Sequence, residues 1–267
     1  MGRGRQEPAS RNTGAARCTL LLANQAHPQY RLVLAANRDE FYDRPTAAAS
    51  FWEDAPQVFG GRDLVHGGTW LAVTTTGRIA ALTNYREAQE ARKDGPSRGE
   101  LVSEFVKGDA TPDAYLARLR AKASFYNGYN LIVGDADRLL YYSNRSDRVT
   151  VVNAGFHGVS NHLLDTPWPK VVRGKAALAR VLDGGAVAPQ SLFDILADTT
   201  KAPDAELPDT GVGLEWERLL SSIFITSERY GTRSSSVLLV DRDLRAIFIE
   251  RNFDGKEVRD RRTEFAW

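Results

Sequence analysis

The sequence predicts an α+β fold built of antiparallel sheets covered by helices, and three observations lead there. Short apolar runs come in pairs joined by brief polar turns, the pattern of hairpins. Helical stretches are grouped between blocks of strands, where a parallel βαβ sheet would alternate them one for one. Neither Gly-x-Gly-x-x-Gly nor a Walker sequence is present, so a nucleotide cradle has no support.

Residues 1–17 carry Gly, Arg, Ser, Asn and Pro among charges and no apolar run. They read as a disordered leader or propeptide-like extension ahead of a single domain over 18–267. Without an apolar segment the leader is no secretory signal, and Gln6 stands where a myristoylation motif requires Ser or Thr. Residues 18–24 and 31–36 are the first two strands, with a proline-marked turn over 25–30. A hairpin centred near His27 and Pro28 places Asn24 opposite Arg31, Leu22 opposite Val33 and Cys18 opposite Asn37. Arg38, Asp39 and Glu40 follow directly, beside the thiol.

Strands are next expected over 67–73 and 78–83 around a turn at Thr75, Thr76 and Gly77, with Asn84 at the strand end. The polar stretch 87–98 reads as a loop. Helices follow over 98–107 and 112–125, the second capped by Thr111 with Pro112 in its first helical position. A second strand block covers 129–133, 139–143, 149–152 and 155–160, and Asn161 closes it. Residues 169–182 and 190–198 have helical spacing. Residues 199–213 are rich in Pro, Asp and Gly and read as a long exposed loop, a candidate lid. Strands near 222–226, 235–240 and 245–250 end the chain.

At 267 residues the chain can bury a substantial core. Lys and Arg total 35 against 34 Asp and Glu, a net charge of +1, so nothing electrostatic points to nucleic acid. Apolar runs are far shorter than the roughly 18 residues of a membrane-spanning helix. One cysteine excludes an intrachain disulfide and fits a reducing, cytoplasmic setting. The expected partner is a small molecule, with no metal.

Cys18 opens the first strand, and its chemistry has two readings. A lone cysteine there is commonly a small buried hydrophobe. As a nucleophile it needs its pKa lowered, which the Arg38 guanidinium favours, with Asp39 as a positioning group. It also needs a base. His27 falls at the far end of the hairpin, and His66, His157 and His162 have no cysteine-protease context, which leaves the α-amino group of a terminal cysteine, with a pKa of about 7.7–8.0. Asn84 and Asn161 are candidate oxyanion donors. Arg233 would bind an anionic group or brace loop carbonyls. Asn37, Glu40 and Trp70 are the candidate substrate-binding residues.

Six motifs in order then resemble one family. They are Ala36-Asn37-Arg38-Asp39-Glu40, Gly67-Gly68-Thr69-Trp70-Leu71, Leu82-Thr83-Asn84-Tyr85-Arg86-Glu87, Tyr129-Asn130-Leu131-Ile132-Val133-Gly134-Asp135, Ser160-Asn161-His162-Leu163-Leu164-Asp165 and Tyr230-Gly231-Thr232-Arg233-Ser234-Ser235. Together they resemble the NRDE, or transport and Golgi organisation, family over nearly everything from Cys18 onward. The resemblance implies a four-layer αββα sandwich of antiparallel sheets, similar to N-terminal-nucleophile hydrolases. It implies a catalytic set of Cys18, Arg38, Asp39, Asn84, Asn161 and Arg233 acting on a non-peptide C–N amide bond, with no cofactor required. It also implies the alternative of a non-catalytic carrier of haem or an acyl-CoA or lipid ligand in the same pocket. Family members usually begin Met-Cys, whereas here Arg17 precedes Cys18. A cysteine whose nitrogen is an amide has no base. The chain is then a precursor cleaved after Arg17, the product of a misassigned upstream region, or a binding protein that needs no amine.

Overall fold

The computed structural model describes residues 17–87, 95–253 and 258–267. Residues 1–16 of the expected leader over 1–17 and the middle of the expected loop over 87–98 lie outside the described residues, and the leader's last residue, Arg17, already belongs to the first strand. The chain runs β1 (Arg17–Asn24), β2 (Tyr30–Phe41), β3 (Thr46–Trp52), β4 (Ala55–Asp63), β5 (Leu71–Thr74), β6 (Ile79–Asn84), α1 (Gly99–Lys107) and α2 (Pro112–Arg120). It continues through β7 (Tyr129–Gly134), β8 (Leu139–Ser143), β9 (Arg148–Val151), β10 (Gly155–Val159), α3 (Pro169–Asp183), α4 (Pro189–Leu196) and α5 (Leu214–Leu219). It closes with β11 (Tyr230–Asp241), β12 (Arg245–Phe253) and β13 (Val258–Ala266).

Two antiparallel sheets result, in the orders β10-β1-β2-β11-β12-β13 and β3-β4-β5-β6-β7-β8-β9. Alternation along each strand sorts its apolar residues into two layers. In β1, Leu20 and Leu22 meet Leu34, Leu238 and Phe248, and across the gap they face Phe59, Val73, Ile79 and Ile132 of the second sheet. Leu21 and Ala23 point the other way, onto Leu178 of α3 and Leu192 and Leu196 of α4. On the outer face of the second sheet, Leu101 and Phe105 of α1 and Leu116 of α2 cover Leu82, Leu131 and Val133. The layers are therefore α, β, β and α, an α+β sandwich.

Thr111 caps α2 by accepting from Ala114 N, as its place before Pro112 predicts. The first hairpin is one residue out of the expected register. Cys18 lies opposite Arg38, not Asn37; Leu22 opposite Leu34; and Asn24 opposite Leu32. The cause is the loop, which turns at Gln25 in the left-handed region (φ 49°), closed by Gln25 N donating to the Arg31 carbonyl at 2.7 Å. Burial could not correct the error, because β1 and β2 are covered on both faces and either register buries apolar side chains.

β2 also runs on to Phe41, so the Asn-Arg-Asp-Glu run lies inside a strand. β3, β4, α5 and β13 were not expected. The strand expected over 222–226 is absent apart from a single bridge between Thr226 and Gly231. There the Ser222 hydroxyl lies 2.7 Å from the Phe224 carbonyl and bends the chain. The stretch expected as a long loop is pinned: Glu217 of α5 accepts from Thr210 N at 2.9 Å and forms a buried ion pair with Arg86. No helix among the described residues is long and apolar enough to cross a membrane.

Candidate functional site

Register builds the site. Cys18 pairs with Arg38, Arg38 with Ser234, Ser234 with Asn252, and Asn252 with Arg259. Paired residues on antiparallel neighbours share a face, so these five form one row across the end of the first sheet, facing the second. Cys18 is 5% exposed and Arg38 3%. The Arg38 guanidinium stacks 4.3 Å above the Trp70 ring, donates to Thr46 Oγ1 at 3.2 Å and lies 3.6 Å from Glu40 Oε2. Trp70 in turn packs against Gly61, where a Cβ would come within 2.3 Å of the ring. Arg44 approaches the same Glu40 oxygen at 3.5 Å. The arginine beside the thiol is thus held from three sides.

Burial, reinforced by the Asp39 and Glu40 carboxylates, pushes the Cys18 thiol up to about 12, and Arg38 only partly opposes this. The expected activation by Arg38 is therefore outweighed in this chain: desolvation wins, and at neutral pH the sulfur keeps its proton. No histidine acts as a base on it. His157 bonds Asp165 at 2.6 Å, His162 bonds Thr166 at 2.8 Å, His27 bonds the Gly185 carbonyl at 3.0 Å, and His66 is exposed in the turn after β4.

The remaining candidates divide. Asn161 is fully buried; its Nδ2 donates to the Asn84 carbonyl at 2.9 Å, and the neighbouring Ser160 hydroxyl donates to the Cys18 carbonyl at 3.2 Å. Asn84 and Asn161 are thus joined to each other and set beside the start of β1. Asn37 and Asp39 point away from the row, toward the helices. Asn37 Nδ2 donates to the carbonyls of Leu196 and Ile223, both at 2.9 Å, and its Oδ1 accepts from Ser235 at 2.6 Å. Asp39 accepts from the Thr232 hydroxyl at 2.7 Å. Arg233 is the extra residue of a bulge in β11 between Thr232 and Ser234. Its Nη1 donates to the carbonyls of Phe41 at 2.8 Å and Arg44 at 3.2 Å, and burial lowers its pKa.

Arg98 was missed. It is partly buried, burial brings its pKa down to about 10, and the Glu40 and Glu87 carboxylates favour its cation. The available signal was a cation at the N-cap of α1, where the helix dipole disfavours it. Among the described residues, no three His, Cys, Asp or Glu side chains gather as a metal would require.

The sequence matches the family described as transport and Golgi organisation 2 over residues 18–255. A transport and Golgi organization protein 2 homolog of Bos taurus is 40% identical over 85% of this chain and 88% of its own length. The Homo sapiens homolog is 37% identical over 86% of this chain and 89% of its own. Among solved structures, a mutant conjugated bile acid hydrolase from Clostridium perfringens aligns with a TM-score of 0.49 at 8% identity, covering 94% of this chain and 97% of that one.

Proposed function

The chain belongs to the transport and Golgi organisation 2 family, and from that premise we propose that it is a cysteine hydrolase or acyltransferase of the N-terminal-nucleophile type, acting on a non-peptide amide of a small molecule. The observation that carries the reading is the register pair of Cys18 and Arg38, side by side at the end of the inter-sheet layer. Once the bond after Arg17 is cut, the new α-amine takes the thiol proton. The sulfur attacks the amide carbon, and the oxyanion rests near the Asn161 and Asn84 groups. The ammonium then returns the proton to the leaving amine, which departs as the thioester forms. Water, or an acceptor in the acyltransferase case, completes the turnover. Arg38 balances the charge on sulfur, and an unpaired thiol suits a reducing compartment such as the cytoplasm.

Intact-mass spectrometry of the protein from its natural host, with an acylating probe, tests this. The expected result is a chain beginning at Cys18 and labelled there. A population that keeps Arg17 throughout and leaves Cys18 unlabelled sinks the reading.

A second reading has its own observation. With Arg17 in place the thiol is held protonated, its pKa near 12, which suits a carrier that binds haem or an acyl-CoA-like ligand without chemistry. A rise in melting temperature with either ligand supports it, and no shift at concentrations well above micromolar counts against it.

A further inference from the structure

Beyond Arg38 the cross-strand row leads away from the thiol into a pocket of about 190 Å³ lined by Thr46, Arg233, Ser234, Asn252, Arg259 and Arg261. We propose that this pocket binds a phosphoryl group carried by a soluble small molecule. Register brings its cations together: Asn252 pairs with Arg259 and Glu250 with Arg261, which sets both arginines on the inter-sheet face, while the bulge in β11 turns Arg233 toward them. Forked guanidinium donors match the tetrahedral oxygens of phosphate better than a single ammonium does.

Ser234 supplies the independent sign. It is 3% exposed, it lines the pocket, and its hydroxyl has no hydrogen-bond partner. A buried hydroxyl left without a partner is costly, and a ligand oxygen would satisfy it.

Two carboxylates on the neighbouring strands are engaged elsewhere. Asp260 is paired with Arg251 at 2.9 Å on the opposite face of the sheet. Glu250 is buried, accepts from Ala49 N at 2.7 Å, and burial raises its pKa. The pocket holds a small anion and no more. Ser234 is two strands from Cys18, roughly 10 Å at the usual strand spacing. As a handle for the amide substrate the pocket rests on the hydrolase reading, and as an anion site it does not.

Calorimetric titration of pyrophosphate into the full chain at low salt tests the proposal. Saturable binding is expected for the wild type and for Cys18→Ala, with affinity lowered at least about tenfold in the Arg259→Gln/Arg261→Gln double variant. Ser234→Ala is expected to weaken binding a few-fold, and acetate is expected not to compete. Melting temperatures without ligand check that each variant folds. No saturable binding to the wild type, or equal affinity in the double variant, overturns the site. If pyrophosphate binds while Cys18 is never acylated, the anion site stands and the hydrolase reading falls. If Cys18 is acylated while pyrophosphate does not bind, only the anion site falls.

Discussion

The two faces of β2 put one contiguous run of residues to different uses. Arg38 and Glu40 face the second sheet, where they meet Cys18, Trp70 and Arg44. Asn37 and Asp39 face the helices, where Asn37 fastens the end of α4 and the Ile223 segment to the sheet, and Asp39 receives the Thr232 hydroxyl. Residues adjacent in sequence are thus separated by a sheet. The inter-sheet face gathers charge near a thiol, whereas the helix face uses polarity to tie layers together. A motif read as a string looks like one cluster; read at a period of two, Arg38 and Glu40 share the face of Cys18 while Asn37 and Asp39 share the face of the helices.

That division can be broken from either face. The largest contrast concerns the thiol. With a native pKa near 12 against an unfolded value of 9.0, the Cys18 thiolate fraction at pH 8 is about a thousandfold lower in the folded chain. Iodoacetamide should therefore alkylate native protein about that much more slowly than protein in urea, and similar rates would remove the electrostatic account of this face. The sign follows from the same values. The native state holds the proton, so the stability this adds is present below pH 9.0 and is lost as pH rises toward 12.

Next comes Asn37→Asp, which sets a carboxylate against the carbonyls of Leu196 and Ile223. A loss of about 4 kcal/mol in urea unfolding is expected. A loss below about 1 kcal/mol would mean that the helix face does not depend on this residue.

Arg38→Met keeps the bulk over Trp70 and leaves Glu40 with Arg44 and the Phe41 amide. The expected cost is about 2 kcal/mol, less than for a fully isolated buried charge, together with slower alkylation because the one favourable charge is gone. Faster alkylation would contradict the assignment of Arg38 to the thiol. Smallest is Gly61→Ala, which pushes Trp70 off its seat at a cost of about 1 kcal/mol. It should slow alkylation in the same sense as Arg38→Met, by displacing the guanidinium.

Much of the fold was legible. The strands β6, β7 and β8 and the helices over 99–107, 112–120, 169–183 and 189–196 carry plain periods, and α2 a side-chain cap. The misses have local causes. β3 holds three consecutive alanines and β4 has Pro56 near its start, so neither shows a strand composition. β13 is an edge strand whose side chains are mostly charged and exposed, with no buried stripe to betray it. The site was legible in its members and not in its arrangement. Cys18 and the Asn-Arg-Asp-Glu run stood out, but their register depended on the turn at Gln25. The row through Ser234, Asn252 and Arg259 arises from pairing across nearly the whole chain, which no local pattern contains.

The start of β1 has a consequence for timing. Arg17 is already in the ladder, opposite Asp39, while β10 joins β1 only from Leu20 onward. A processing protease grips its substrate as an extended strand, using the main-chain groups that a sheet would otherwise employ. If the hydrolase reading holds, trimming after Arg17 would compete with the zipping of β1 onto β2. It would proceed on the nascent chain before that pairing, or afterwards at the rate at which the strand end frays. On this view, maturation is a race between an enzyme and a sheet, and the speed of folding sets how many molecules ever acquire a free amine beside their thiol.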